Sequence, residues 1–371
     1  MGKKLCLIYN FAPLYRLGIF KLIDEKFDCD WYFGRNGSDI KTLDLSLLKR
    51  AKEVPVMNLP FSCYWQKGIV KLLFRKEYKT YFLLGELKSI STWAFIIFAR
   101  LLFPRKHVYF WSHGWYGRET RIKKILKKMF FKLADGTFLY GNYARSLMIE
   151  NGFRGANLFV IHNSLDYDRQ LELRKTITPT GLYKKHFGND RPNLIFIGRL
   201  TFSKKLDLLL EALKLLKEKG KVFNLTLVGD GEAYRNLHDL AVEKELCEYV
   251  WFYGACYDEQ TNAELIFNAD LCVSPGNVGL TAMHSMMFGT PVITHGCFKY
   301  QGPEFESIHP GVTGDFFEMG NAGSLAACIS AWFDRHESER NKVREACYEE
   351  IDTSWNPYFQ IGVIKKYLIV E

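Results

Sequence analysis

Residues 269–295, ADLCVSPGNVGLTAMHSMMFGTPVITH, decide how the chain folds. Leu271, Cys272 and Val273 form an apolar run of strand length that stops at Ser274 and Pro275, and a glycine-bounded turn follows from Gly276 to Gly279. Positions 280–287 suit one helix, Gly289 ends it, and Val292 and Ile293 open a second apolar run. Strand, helix, strand in this order is the repeat of a parallel sheet. A turn of small residues ahead of a helix start leaves several backbone N–H groups unpaired and facing outward, which makes an anion site suited to a diphosphate. An ordinary α/β crossover with a tight turn reads the same way.

The pattern continues outward from this stretch. Toward the N-terminus come a strand at 194–197, Gly198, a helix over 206–218, a strand at 224–228, the turn Gly229-Asp230-Gly231, a strand at 250–253 and a short helix over 258–267. Earlier still, strands at 5–9, 30–33, 80–84, 108–111, 136–140 and 158–161 alternate with helices, again a parallel sheet covered on both faces. Between the two sets, 168–192 is polar and turn-rich, with Pro179, Gly181, Gly188 and Pro192. A chain of 371 residues is long for one core and fits two domains. The reading is a Rossmann-like domain over 1–168, a linker over 169–192, a second Rossmann-like domain over 193–352, and a C-terminal helix over 353–371.

The composition, 48% apolar and 15% aromatic, is that of a folded protein, and its charge is unevenly placed. The formal net charge is +9, yet residues 67–132 alone hold sixteen Lys or Arg against three Glu. That region faces something anionic, an acceptor or a bilayer surface. No recognition helix, zinc-ligand spacing or aromatic-plus-basic single-strand motif accompanies it, so nucleic acid is not the expected partner. Within it, 118–134 reads as a helix with Ile122, Ile125, Leu126, Met129, Phe130 and Leu133 on one face and Lys123, Lys124, Lys127, Lys128 and Lys132 on the other. The apolar face is expected to cover the sheet, with the lysines toward solvent or lipid headgroups. The nine cysteines are scattered, with no C-x-x-C and no metal-ligand spacing, as for reduced thiols in the cytoplasm. The first apolar run, 5–9, has strand length rather than that of a signal peptide, and the longest, 93–103, contains Arg100 and is too short to span a bilayer. The expected location is cytoplasmic, with any membrane contact peripheral on the inner face. Asp28 and Asp30 form a D-x-D, read here as solvated surface.

The series FIGRLTFSKKLDLLLEAL (196–213), LTLVGDGEAYRNL (225–237), WFYG (251–254), ADLCVSPGNVGL (269–280), FGTPVITHG (288–296) and GVTG (311–314) resembles, in order and spacing, the C-terminal half of GT-B-fold glycosyltransferases of the retaining family 4. The resemblance covers about 190–320, and the N-terminal half only in outline. It implies an α/β GT-B architecture, two Rossmann-like parallel-sheet domains facing a central cleft, with the C-terminal helix crossing back toward the first domain.

The resemblance also implies roles. Arg199 and Lys204 would hold a nucleoside diphosphate and neutralise charge on its leaving oxygen. Gly198 and Gly229 would let the backbone approach the phosphates, Tyr253 and Gly254 would hold the nucleobase, and Asn277, Val278, Gly279, Leu280 and Thr281 would wrap the diphosphate. Family members usually carry two Glu eight residues apart; here Gly276 and His284 occupy those positions, and His284 could still hydrogen-bond a ribose. Glu304, in G-P-E at 302–304, resembles a loop closing on the donor. In the first domain His113, within WSHGWYGRE (111–119), would touch donor sugar or acceptor, with Arg16, Gly18, Arg118 and Glu119 near enough to bind substrate and the loop 10–14 on the acceptor side. Asn163 and Asp166 match an N-x-x-D at the domain junction. The implied reaction moves a sugar from a UDP-, GDP- or TDP-sugar to a glycan or polyprenyl-linked acceptor in surface polysaccharide synthesis, capsule or lipopolysaccharide, with retention and with no metal or other cofactor. A catalytically degenerate nucleotide-sugar-binding or scaffold protein is the alternative.

Overall fold

The structure, a computed structural model, describes residues 4–35, 41–336 and 338–370. The chain forms two units, Met1–Asp166 with Asn356–Glu371, and Tyr167–Trp355.

The first unit contains β1 (Lys4–Tyr9), β2 (Cys29–Gly34), β3 (Ala51–Val54), a small hairpin of β4 (Val56–Asn58) and β5 (Tyr64–Gln66), then β6 (Tyr78–Leu84), β7 (His107–Ser112), β8 (Gly136–Leu139) and β9 (Leu158–Val160). Seven of these form a parallel sheet in the order β3-β2-β1-β6-β7-β8-β9. Continuous apolar runs such as Leu5–Tyr9 are buried on both faces, as a sheet covered by helices requires. On one face Ile19, Phe20 and Ile23 of the helix Leu17–Lys26 pack with Ile361 and Ile364 of the C-terminal helix Pro357–Tyr367. Asn356 caps that last helix by accepting from the Tyr358 and Phe359 amides, and Gln360 ties it to Ser164 Oγ at 2.7 Å and His162 O at 2.9 Å. The final helix therefore belongs to the first unit.

On the other face lie the helices Ile90–Leu102 and Arg121–Lys132. They are neighbours: Trp93 meets Phe130 at 4.7 Å between ring centroids, and Arg100 donates to the Leu133 carbonyl. Here the periodicity misleads. Phe130 and Phe131 turn inward, and Phe130 stacks on Phe110 at 4.6 Å, but Ile122, Ile125, Leu126 and Met129 are exposed. Lys127, expected in solvent, is buried because its ammonium meets Glu119 and the Gly114 carbonyl, each at 2.6 Å. A buried ion pair and two adjacent phenylalanines set the helix's rotation, against the wider apolar stripe. Asp28 and Asp30 both bind Arg50.

The second unit carries β10 (Asn193–Ile197), β11 (Asn224–Val228), β12 (Val250–Gly254), β13 (Leu271–Ser274), β14 (Val292–His295) and β15 (Gly314–Phe317) in the order β12-β11-β10-β13-β14-β15, all parallel. The stretch read as a linker, 169–192, holds two helices of this unit, Tyr167–Thr176 and Leu182–Phe187. Their polarity reflects shallow packing: each buries few side chains, Gln170 bonding Glu259 at 2.8 Å and the Tyr183 hydroxyl the Leu265 carbonyl at 2.7 Å.

Strand order reverses between β1 and β6 in the first sheet and between β10 and β13 in the second. Loops leaving the C-terminal ends of two such strands diverge to opposite sides, and the crevice between them is where open α/β sheets bind ligands. Beside that crevice in the second unit, the turns after β10 and β11 come into close approach. Gly229 has φ +144°, and a Cβ there would stand 1.9 Å from the Gly198 carbonyl oxygen. Gly229→Ala should therefore destabilise the second unit by roughly 2 kcal/mol or more, seen as a lower urea midpoint; an unchanged midpoint would mean that the two loops do not meet this closely.

Candidate functional site

The loops after β10 and β13 are locked together at Gly276. Its amide donates to the Lys204 carbonyl at 2.9 Å, and a Cβ there would lie 2.2 Å from the Ser203 carbonyl oxygen. No larger residue fits. The close approach carries Lys204 Nζ to the Asn277 carbonyl, 2.5 Å away, while Thr281 Oγ1 reaches back to the Ile197 carbonyl at 3.0 Å. Arg199 is exposed beside this pair, close enough for its charge to act on Lys204. Burial lowers the Lys204 pKa from the usual lysine value, Glu304 opposes that shift and Arg199 adds to it. Two cations and one carboxylate thus share the end of the β10/β13 crevice.

The loop itself is less open than its sequence suggests. The Val278 side chain is buried, and its amide donates to Gln301 Oε1 at 2.9 Å. Gln301 in turn donates to Thr294 Oγ1 and the His295 carbonyl, so a buried glutamine next to G-P-E shapes the turn. The amides of Gly279, Leu280 and Thr281 meet no acceptor among the described residues. These three consecutive donors, at a positive-φ glycine (Gly279, φ +52°), are the part of the loop free to cradle an anion. Glu304 is buried beside them: a Cβ on Gly302 would sit 2.6 Å from its Oε2, 3.4 Å from Asn277 Oδ1 and 3.6 Å from Gly279 Cα.

The remaining second-unit candidates lie along the same edge. Gly198 (φ +146°) would press a Cβ against the Phe196 ring and Thr281 Oγ1 at 3.4 and 3.6 Å, and Gly229 donates to the Gly254 carbonyl at 2.8 Å. Tyr253, half-buried beside Gly254, leans on Trp251 at 4.9 Å between centroids. His284 is held by a carboxylate that the sequence did not single out: its Nε2 lies 2.9 Å from Glu259 Oε1, and Glu259 also accepts from Gln170. Burial works to raise the Glu259 pKa, but the His284 and Gln170 contacts outweigh it and leave the carboxyl lowered. An imidazole–carboxylate pair therefore stands where the resemblance leads one to expect a glutamate. A cavity of about 630 Å³ in this unit opens at Asn193, Asp270 and Pro291, the N-terminal ends of the strands and away from these groups.

In the first unit His113 follows β7 and lines a cavity of about 450 Å³ with residues after β1 and β6, the other reversal of strand order. Its ring packs 4.6 Å from Tyr140 and 6.0 Å from Tyr116 while remaining open to solvent on the cavity side. Enclosure by protein, then the charges of Arg16 and Lys127, push its pKa down to about 4, so the imidazole is neutral at pH 7. Arg16 and the loop 10–14 line the same cavity through Asn10, Phe11 and Pro13; Gly18 packs on Pro357, Arg118 is exposed over Tyr116, and Glu119 serves Lys127. Asn163 is buried with its side-chain Oδ1 accepting from the Ser164 amide. Among the described residues no group of three His, Cys, Asp or Glu side chains is placed to hold a metal ion.

Compared with known proteins, residues 183–350 match the family described as Glycosyl transferases group 1. An uncharacterised 41.2 kDa protein from the cps region of Klebsiella pneumoniae is 25% identical over 328 residues, 85% of this chain and 79% of that protein. An uncharacterised glycosyltransferase of Methanocaldococcus jannaschii is 26% identical over 211 residues, 55% of this chain but only 50% of its own length. The fold of Anabaena Alr3699/HepE, solved with UDP, superposes with a TM-score of 0.74 at 17% identity over 98% of this chain and 99% of that one. Sequence, sheet order and the loops after β10 and β13 agree: residues 183–350, all in the second unit, form a domain matching the Glycosyl transferases group 1 family, and the two Rossmann-like units are those of a GT-B fold.

Proposed function

We propose that the protein is a nucleotide-sugar-dependent glycosyltransferase of surface polysaccharide synthesis, with the donor held by the second unit and the acceptor by the cavity of the first. The observation that carries this reading is the convergence of Arg199, Lys204 and the free amides of Gly279–Thr281 beyond β10 and β13. Fixed donors of this kind bind a diphosphate and stabilise the charge that grows on it as the sugar leaves. Gly198 and Gly229 line the approach, Tyr253 and Gly254 take the nucleobase, and Glu304 and His284 contact donor hydroxyls. The Klebsiella relative's cps region supports a polysaccharide setting. HepE was solved with UDP, which makes UDP-sugars the first donors to test ahead of GDP- and TDP-sugars.

The chemistry follows from what these groups supply. The site offers two cations and no pair of carboxylates set for hydrolysis, so rate comes from orientation and electrostatic stabilisation. In a front-face reaction the departing phosphate oxygen takes the acceptor proton while the new glycosidic bond forms on the side the nucleotide leaves, and configuration is retained. No metal is required in this scheme. The neutral imidazole of His113 acts as a hydrogen-bond partner to sugar hydroxyls. A scaffold that binds nucleotide sugar without transferring it is the second reading, favoured by the absence of any side chain at Gly276.

The enzyme works from the surface of an anionic bilayer in this proposal. Among the described residues no helix is long and apolar enough to cross a membrane. The helix Arg121–Lys132 nevertheless exposes Ile122 (73%), Ile125 and Met129 interleaved with Lys123, Lys124, Lys128 and Lys132, and the neighbouring helix Ile90–Leu102 exposes Phe98 and Leu101 (72%). Apolar side chains ringed by cations suit a headgroup layer better than water.

Three outcomes follow. Lys204→Ala should lower turnover about 10²-fold in a transfer assay with the fold retained; full turnover would remove the electrostatic role. An NMR time course should find the product anomer with the donor's configuration, and inversion would reject front-face attack. Flotation with vesicles of anionic lipid should carry wild type but not the Leu101→Asp, Ile122→Asp double variant; equal flotation of both would put the membrane surface elsewhere.

A further inference from the structure

The cavity of the first unit is built around an uncompensated cation. Arg16 is 7% exposed, yet no carboxylate pairs with it among the described residues. Its guanidinium instead lies 5.1 to 5.9 Å from the ring centroids of Trp111, Tyr140, Tyr15 and Tyr9, and its hydrogen-bond partners are neutral tyrosine hydroxyls, Tyr140 and Tyr15. Nε is buried with no acceptor. So are the Tyr9 hydroxyl and the Trp111 indole nitrogen, two groups in the same cage. Cation–π contacts hold a guanidinium in place, but they do not satisfy its N–H groups or balance its charge. Buried charges are as a rule paired, so the guanidinium leaves a place for a counter-ion.

The other charges around the cavity point the same way. Lys88 and Lys123 line it with no acidic partner within 4 Å among the described residues, whereas Lys127 is neutralised by Glu119. Glu86, the one carboxylate that lines it among the described residues, accepts from Tyr64 at 2.9 Å and Asn10 at 3.5 Å. With about 450 Å³ of space the cavity is in the range of small-molecule sites, and Tyr15 and Tyr116 are among the aromatic residues that line it.

We propose that this cavity selects an acidic acceptor: a sugar bearing a carboxylate or phosphoryl group, whose oxyanion is the counter-charge to Arg16. This rests on the reading of the cavity as the acceptor site, and it makes Arg16 a specificity-determining residue. Lys88 and Lys123 draw the anion in from the rim, Arg16 meets it at the base, and the neutral His113 ring faces the hydroxyls.

Calorimetry on the full chain tests this with three sugars that differ only in charge-bearing substituent: glucose, glucuronate and glucose 6-phosphate. At least one anionic sugar should bind about tenfold or more tightly than glucose, as expected for a charge-assisted hydrogen bond, and the preferred one tells carboxylate from phosphoryl recognition. Arg16→Gln should abolish the preference and Arg16→Lys should keep part of it. The wild-type comparison decides the matter even if the buried variants misfold. Equal binding of all three sugars, or binding of none, overturns the proposal. So does displacement of the bound anionic sugar by saturating UDP, which would assign Arg16 to the donor. UDP titrated alone reads the second unit separately: UDP binding with no anionic preference removes only this inference, whereas loss of UDP, GDP and TDP binding removes the donor reading itself.

Discussion

The contact of Gly276 with the backbone at Ser203 and Lys204 is the constraint from which the proposed donor site follows. Because no Cβ intervenes, the loop after β13 closes on the turn after β10, and Lys204 reaches the Asn277 carbonyl. The same closeness fixes where Gly279, Leu280 and Thr281 present their amides. It also explains a departure from the family pattern: a glutamate at position 276 would need a side chain where the Ser203 carbonyl already stands. The acidic groups near the loop come from elsewhere, Glu304 from the 302–304 turn and Glu259 through His284.

The first unit uses charge in three distinct ways. Lys127 is buried and paired with Glu119, where burial lowers the lysine pKa while the ammonium holds the Glu119 carboxyl below its usual range despite its own burial. Arg16 is buried against aromatic rings. The remaining lysines of Arg121–Lys132 surround exposed apolar side chains. The excess of positive charge in 67–132 thus divides between structure and surface, while Arg16 lies outside that region altogether, which a net count does not separate.

Much of the architecture was legible because parallel strands buried on both faces are continuous apolar runs, as at Leu5–Tyr9, Leu194–Ile197 and Leu271–Val273. The glycines of the loops after β10, β11 and β13 were legible for a related reason: Gly198, Gly229 and Gly276 stand at turns where strand runs end. Contacts between distant segments were not. The cage around Arg16 draws on Tyr9, Tyr15, Trp111 and Tyr140, and no local pattern relates them. The Glu259–His284 pair joins two helices 25 positions apart. Periodicity misplaced the face of Arg121–Lys132, since it assumes that apolar residues turn inward and lysines outward. A polar composition hid the helices Tyr167–Thr176 and Leu182–Phe187, which bury one side chain each, Gln170 and Tyr183.

The central claim is that the second unit recognises a pyrophosphate through fixed cations and amides, and comparing the affinity of UDP with that of UMP and uridine tests it most directly, with GDP, GMP and guanosine as a parallel series. Each phosphate added should tighten binding, with the diphosphate at least about tenfold tighter than the monophosphate at low salt and the gain shrinking as salt is raised. Affinity that is the same for nucleoside, mono- and diphosphate in both series would contradict the account, because the cations beyond β10 would then have nothing to hold.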